Sequence, residues 1–226
     1  MIKIYLLDFC GAEAAEKHLS ALPAFVLNTR NPRYKRERIF SYLLLSYAYS
    51  EWRIEDINSP LPEILRDEYG RPYFPDSKFD FNLSHDGEMA ALVISDEGRV
   101  GIDIARLSEN ISDRLIGMCD EHFKNNHLLS LFKSEDKMDS EILEMAYSEA
   151  CGIHKKDEKS VTRVPLSDFF SKWTTLEAVS KADGRGVALA TKIDFENNDF
   201  ILERATVKDR IGGCYAVCVC KKQNAD

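Results

Sequence analysis

The chain has 226 residues, 44% of them hydrophobic and 30% charged, a balance that fills the core of one large or two small domains and excludes a disordered chain. Its 38 acidic against 30 basic side chains give a net charge of −8, which argues against generic binding to duplex nucleic acid or an anionic membrane. No apolar run approaches the ~20 residues that span a bilayer, and the opening one is cut short by Asp8, so a cytoplasmic protein is expected.

Ile2, Ile4 and Leu6 alternate with Lys3, Tyr5 and Leu7, which predicts an opening strand, and the Ala/Glu-rich stretch from Ala12 to Leu22 predicts a helix. After the Asn31-Pro32 break, Tyr34 to Ser50 reads as a longer helix with Ile39, Tyr42, Leu43 and Tyr47 at helical spacing. Its front end, Arg30-Asn-Pro-Arg-Tyr-Lys-Arg-Glu-Arg38, sets five basic side chains against one acidic one. A solvated helix face and a phosphate-sized anion site both fit that run.

Tyr69-Gly-Arg-Pro72 signals a turn, and Phe79, Phe81 and Leu83 then alternate with Asp80, Asn82 and Ser84 as in a half-buried strand. Met89 to Ser95 and Arg99 to Ala105 flank Asp96-Glu-Gly98 and read as a hairpin. From Ser108 to Ser167 the chain is polar and helical in tendency, with an exposed loop at Lys155 to Lys159. Asp168 to Asp183 reads as a helix stopped by Gly184-Arg-Gly186, and two or three strands follow to Lys221. Strands and helices without regular alternation predict an α+β protein of two similar lobes, 1–99 and 100–226.

The cysteines at 10, 119, 151, 214, 218 and 220 form neither a dense disulfide framework nor paired metal-ligand spacing, so reduced thiols are expected. Cys214, Cys218 and Cys220 share one face of a period-two pattern with Ala216, while Tyr215, Val217 and Val219 take the other. That pattern is a buried terminal strand rather than a metal tract.

Three short stretches hold chemistry. In Val100-Gly-Ile-Asp-Ile104 the apolar residues face one way, so Asp103 projects from the other face with Gly101 and Ala105, where it could hold Mg²⁺ or simply be solvated. Trp173, Glu177 and Lys181, spaced by four, share one helical stripe, either as a surface ion pair or as two groups approaching one ligand. Asn82-Leu-Ser-His-Asp-Gly87 offers a hydroxyl and an imidazole. Adjacent Ser84 and His85 point to opposite sides of a strand and no Gly-x-Ser-x-Gly elbow is present, so anion binding is a better reading than nucleophilic attack.

Taken together and in order, Tyr-Gly-Arg-Pro-Tyr-Phe at 69–74, Phe-Asn-Leu-Ser-His-Asp-Gly at 81–87, Gly-Ile-Asp-Ile at 101–104 and Trp-x-x-x-Glu-Ala-x-x-Lys-x-x-Gly at 173–184 resemble a phosphopantetheinyl transferase of the surfactin-synthetase-activating type. The resemblance implies a pseudodimer of two α+β lobes with coenzyme A and Mg²⁺ in the cleft between them. It implies transfer of phosphopantetheine to a serine of an acyl or peptidyl carrier protein, with release of adenosine 3′,5′-bisphosphate, by a monomer. It makes Asp103 and Glu177 metal ligands, gives Glu177 a second role as proton acceptor, and puts Lys181 on the pyrophosphate. Arg38, Arg71, Ser84 and His85 become coenzyme A contacts.

Phosphoryl transfer rests on positioning and charge neutralisation, so these roles need no protein nucleophile. Three departures from the family pattern stand out. Ala105 occupies a position where many relatives carry a third carboxylate, Leu176 stands where lysine is common, and the spacer from Asp103 to Trp173 is longer, by an insertion placed within 133–164. A relative that binds coenzyme A or a carrier without catalysis is the alternative, and a metal-dependent phosphodiester hydrolase a third.

Overall fold

The computed structural model describes residues 1–14, 16–53, 60–75, 77–108, 111–125, 143–149, 152–155, 168–187, 193 and 200–223. Strands β1 (Ile2–Asp8), β4 (Asp80–Asp86), β5 (Met89–Ser95), β7 (Leu143–Glu149) and β8 (Gly152–Lys155) form one sheet in the order β4-β5-β1-β7-β8. Strands β6 (Val100–Arg106), β9 (Phe200–Lys208) and β10 (Cys214–Lys222) form a second in the order β6-β10-β9, and β2 (Leu65–Arg66) pairs with β3 (Pro72–Tyr73). The helices are α1 (Glu16–Leu19), α2 (Ala24–Leu27), α3 (Pro32–Arg53), α4 (Asp113–Asn125) and α5 (Asp168–Asp183).

Period-two alternation decides which way each strand faces. Ile2, Ile4 and Leu6 of β1 and Met89, Ala91 and Val93 of β5 pack against Val100, Ile102 and Ile104 of β6 and Tyr215, Val217 and Val219 of β10, so the two sheets share a core. The opposite faces are covered by helices. Tyr5 and Leu7 meet Phe40, Leu44 and Leu45 of α3, while Cys218 and Cys220 meet Leu176, Val179 and Ala182 of α5. The cysteine pattern thus belongs to a buried strand, where burial pushes the Cys218 thiol up to about 12. Helix α3 starts where Asn31 Oδ1 accepts the Arg33 N–H at 3.0 Å, with Pro32 in its first turn, and α5 ends where Gly184, at φ +98°, donates to the Ser180 carbonyl at 3.0 Å.

The polar row of β4 does not face water. It meets the open edge of β6, whose even-numbered N–H groups point away from β10. Asp80 accepts from Val100 N at 2.8 Å, Asn82 from Ile102 N at 3.0 Å, Ser84 from Ile104 N at 3.4 Å and Asp86 from Arg106 N at 2.7 Å. Side chains of one edge strand therefore satisfy the backbone of another, which joins the sheets and blocks a sticky edge. Asn82→Ala leaves the fully buried Ile102 N–H without its acceptor, and we expect it to cost about 1–3 kcal/mol in denaturant unfolding, against a few tenths for Lys78→Ala on the exposed approach to the strand.

Four sequence expectations change. The hairpin is β4–β5, closed across Asp86 and Met89, whereas β5 and β6 belong to different sheets: the Asp96–Gly98 turn marks a crossing between layers. The helix expected over 12–22 is a single turn, α1, and α2 is a further short turn. The third concerns the stretch expected to be helical: it contains α4 but also β7 and β8, with β7 running parallel to β1 from Ile4 and Leu143 to Asp8 and Tyr147. Lastly, the half-buried reading of β4 misses that its polar side is also enclosed. Most of the 133–164 insertion and of the Lys155 to Lys159 loop lies outside the described residues.

Candidate active site

Gly101 sets the geometry. A Cβ there would lie 2.0 Å from the Ala178 carbonyl oxygen and 2.5 Å from the Ala182 amide nitrogen, so only hydrogen lets α5 cross β6 this closely. Two residues along the same strand face, Asp103 meets the stripe of α5 that carries Trp173, Glu177 and Lys181. Leu83, Ser84, His85 and Asp86 from β4, Asp103, Ile104 and Ala105 from β6, and those three helix residues line one cleft of ≈ 380 Å³.

At its floor Asp103 is buried and Oδ1 accepts two hydrogen bonds, from Ser84 Oγ at 2.7 Å and Lys181 Nζ at 2.7 Å. Lys181 Nζ also donates to Ser84 Oγ at 3.1 Å and to the Ile102 carbonyl at 3.1 Å, so its three protons all have acceptors. The serine hydroxyl is thereby held as a link between carboxylate and ammonium. The earlier possibility of a solvated Asp103 falls with its burial.

Glu177 differs. Its carboxylate has no hydrogen-bond or ion-pair partner among the described residues, and burial pushes its pKa up, with Lys181 pulling back and Asp103 adding to the rise. Of the three carboxylates lining the cleft, Asp86 accepts from the Arg106 N–H and Asp103 from Ser84 and Lys181; carboxylate oxygens such as those of Asp103 and Glu177 are the donor chemistry a hard divalent cation takes. Among the described residues no group of three or more His, Cys, Asp or Glu side chains could hold a metal; a cation in this cleft would have Asp103 and Glu177 as candidate ligands and would need water to complete its shell.

A raised folded-state pKa means that folding disfavours the charged carboxylate. The penalty is absent below the unfolded carboxylate value and complete above the folded one. Glu177→Gln is therefore expected to raise the Tm of the metal-free protein at pH 7.5 by roughly 2–4 °C, about 1 kcal/mol, with the gain shrinking as pH falls through the carboxylate range. An equal or lower Tm would show that the carboxylate is better satisfied than this.

Other expected site residues sit elsewhere. Arg71 is buried behind the cleft: its guanidinium donates to the Lys181 carbonyl in the last turn of α5, to Asp80 Oδ2 at 2.5 Å, to the Phe81 carbonyl at 3.2 Å and to the Val100 carbonyl at 3.0 Å. It clamps α5 to the seam and is not among the cleft-lining residues. Arg38 donates to Thr29 Oγ1 at 3.1 Å, and its charge acts on His85. Within the basic run Arg33 pairs with Glu37, and Arg36 reaches Glu88 and the Phe9 carbonyl, so part of the run is structural. Leu176 is fully buried under α5, on the core side, where a charge could not be solvated. Ala105 lines the cleft and leaves its third acidic position empty of a carboxylate.

Sequence reasoning missed Glu37. In the sequence it counts only as the one acid in a basic run, yet its Oε2 lies 3.4 Å from His85 Nδ1.

The fold and cleft define an α+β protein with a lysine and three carboxylates set where two sheets meet. No family model matches the chain. It is 30% identical over 137 residues to 4′-phosphopantetheinyl transferase AcpT of Salmonella typhimurium, covering 60% of this chain and 57% of that protein. It is 30% identical over 172 residues to 4′-phosphopantetheinyl transferase gsp of Aneurinibacillus migulanus, covering 71% of this chain and 59% of that one. A stretch of 47 residues is 57% identical to AcpT of Escherichia coli strain K12, 20% of this chain and 24% of the relative. The matches thus span less than two thirds of these curated relatives. Over that shared part the chain is similar to curated 4′-phosphopantetheinyl transferases.

Proposed function

We propose that this chain transfers phosphopantetheine from coenzyme A to a serine of an acyl or peptidyl carrier protein in a Mg²⁺-dependent reaction. The observation that carries this reading is the cleft itself: Asp103 from β6 and Glu177 from α5 face one space, with Lys181 holding the first and no hydrogen-bond or ion-pair partner among the described residues holding the second. Mg²⁺ bound to these two carboxylates supplies charge neutralisation for a diphosphate. Glu177, its basicity raised by burial, accepts the proton of the incoming serine hydroxyl as the serine oxygen–phosphorus bond forms and the bond to the departing adenosine 3′,5′-bisphosphate breaks. Lys181 adds positive charge beside that leaving group, trading one of its protein acceptors for a phosphate oxygen.

Ser84 and Asp103 keep Lys181 in place, while His85 offers a donor to coenzyme A phosphates at the α3 side of the cleft and Arg38, outside the cleft lining, adds positive charge for them. In the same reading the chain is a pseudodimer of lobes divided at 99/100, with β7 and β8 of the second joining the sheet of the first, and acts as a cytoplasmic monomer. The missing third carboxylate at Ala105 favours a second reading, binding of coenzyme A or a carrier without transfer.

The test is intact-mass measurement of several apo carrier proteins incubated with coenzyme A, Mg²⁺ and the protein. A phosphopantetheine-sized gain that requires Mg²⁺ and disappears with Glu177→Gln supports transfer. Binding of coenzyme A with no gain on any carrier supports the second reading, and free phosphopantetheine without a carrier would instead indicate hydrolysis.

A further inference from the structure

Glu37 is one acid among the basic side chains at the start of α3, yet its carboxylate is the sheltered one, with a side chain only 6% exposed. Oε1 accepts from Arg33 Nε at 3.2 Å, through an arginine that is itself 74% exposed. Oε2 faces His85 Nδ1 at 3.4 Å. A carboxylate so enclosed calls for a partner at each oxygen, and at Oε2 the fold places the imidazole within ion-pair distance. The ring in turn lines the cleft. Its two nitrogens lie on opposite sides, so with Nδ1 committed to α3 it is Nε2 that remains for a ligand.

We propose that Glu37 is a positioning residue for this cleft: it holds the proton of His85 on Nδ1, presents Nε2 to a phosphate oxygen, and balances the imidazolium that forms when that nitrogen takes up a proton. This rests on the reading that the cleft binds a phosphate-bearing ligand. The groups acting on the imidazole are Glu37 and Arg38 from α3, Asp86 from β4 and Lys181 from α5. Burial, Lys181 and Arg38 favour the neutral ring, and the two carboxylates oppose them. The ring waits uncharged, with a lone pair on Nε2, and charges when an anion arrives. Affinity then falls as pH rises, because the proton becomes harder to acquire.

The test is ¹⁵N spectroscopy of the histidine rings in the wild type and Glu37→Gln, followed by calorimetric titration with coenzyme A in two buffers of different ionisation enthalpy. In the wild type the free His85 ring is expected as the Nδ1–H tautomer, with net proton uptake on binding near pH 7.5. In Glu37→Gln the ring is expected to move to the Nε2–H form, with proton uptake reduced and coenzyme A bound about tenfold more weakly, the equivalent of one pKa unit. An Nε2–H ring in the wild type, or the same tautomer and proton uptake in both proteins, would overturn the proposal. Should coenzyme A fail to bind the wild type at any pH while the ring keeps its Nδ1–H form, the coenzyme A reading falls and the Glu37–His85 pair stands. The wild-type spectrum needs no variant to fold.

Discussion

Asp103→Asn is expected to lower carrier modification, measured as kcat/KM by intact mass, by at least ~10³-fold while the protein still folds. Asparagine keeps the size and one carbonyl oxygen, so the bonds from Ser84 Oγ and Lys181 Nζ have an acceptor, but the charge is lost. Two effects follow from that single change. One of the two proposed ligands of a divalent cation disappears, Ala105 beside it brings no carboxylate, and Asp86, the remaining acid of the cleft lining, already accepts from the Arg106 N–H through Oδ2. The Lys181 ammonium, three-quarters buried, also loses its counter-charge, which is expected to cost about 1–3 kcal/mol of stability.

Stability and activity should separate in a second variant. Asp103→Asn combined with Lys181→Met removes both charges, and we expect it to regain part of the lost Tm with no return of activity. A thermal shift in the presence of Mg²⁺ adds an independent readout: stabilisation in the wild type, little in Asp103→Asn and little in Glu177→Gln. Near wild-type turnover in Asp103→Asn would remove the proposed metal ligand and the mechanism with it.

Gly101→Val is expected to have the largest structural effect, a loss of roughly 3 kcal/mol or more and a Tm lower by about 6–12 °C. The atoms its side chain would strike are backbone atoms of Ala178 and Ala182, inside a regular helix, and they have no rotamer through which to yield. Relief requires α5 to move off the sheet, carrying Glu177 and Lys181 away from Asp103. Activity should therefore fall further than the lost stability explains, even at a temperature where the variant is folded. Gly101→Ala should show the same pattern to a smaller degree. Gly117→Ala in α4, where a Cβ meets nothing within 4 Å, is the control and should be neutral or slightly stabilising.

Much of the cleft was legible as residue types at spacings. Four residues per step on α5 put Trp173, Glu177 and Lys181 on one side, and alternation put Asp103 and Gly101 together on one strand face; the structure has both. The purpose of Gly101 was only half legible, because closeness to a helix is a property of two elements. Arg71 shows the opposite limit. Its motif marked it as a ligand contact, but its four acceptors come from Asp80, Phe81, Val100 and Lys181, scattered over a hundred positions. Burial of its guanidinium could not be read from its neighbours in the chain. Glu37 was hidden for the same reason, since a single acid among bases carries no periodic signal.

From the amino-acid order alone came the helices α3 and α5 and the faces of β1, β6 and β10, because short-range periodicity is a property of the chain itself, whereas the pairing of Asp103 with Glu177 came from the family resemblance. Tertiary structure decided which strands share a sheet. It turned the polar row of β4 into acceptors for β6, sent β7 alongside β1, and converted the turn at 96–98 from a hairpin into a crossing. Those outcomes depend on which edge is left open when two layers pack, and unpaired N–H groups are then satisfied by whatever distant side chains the packing brings to them.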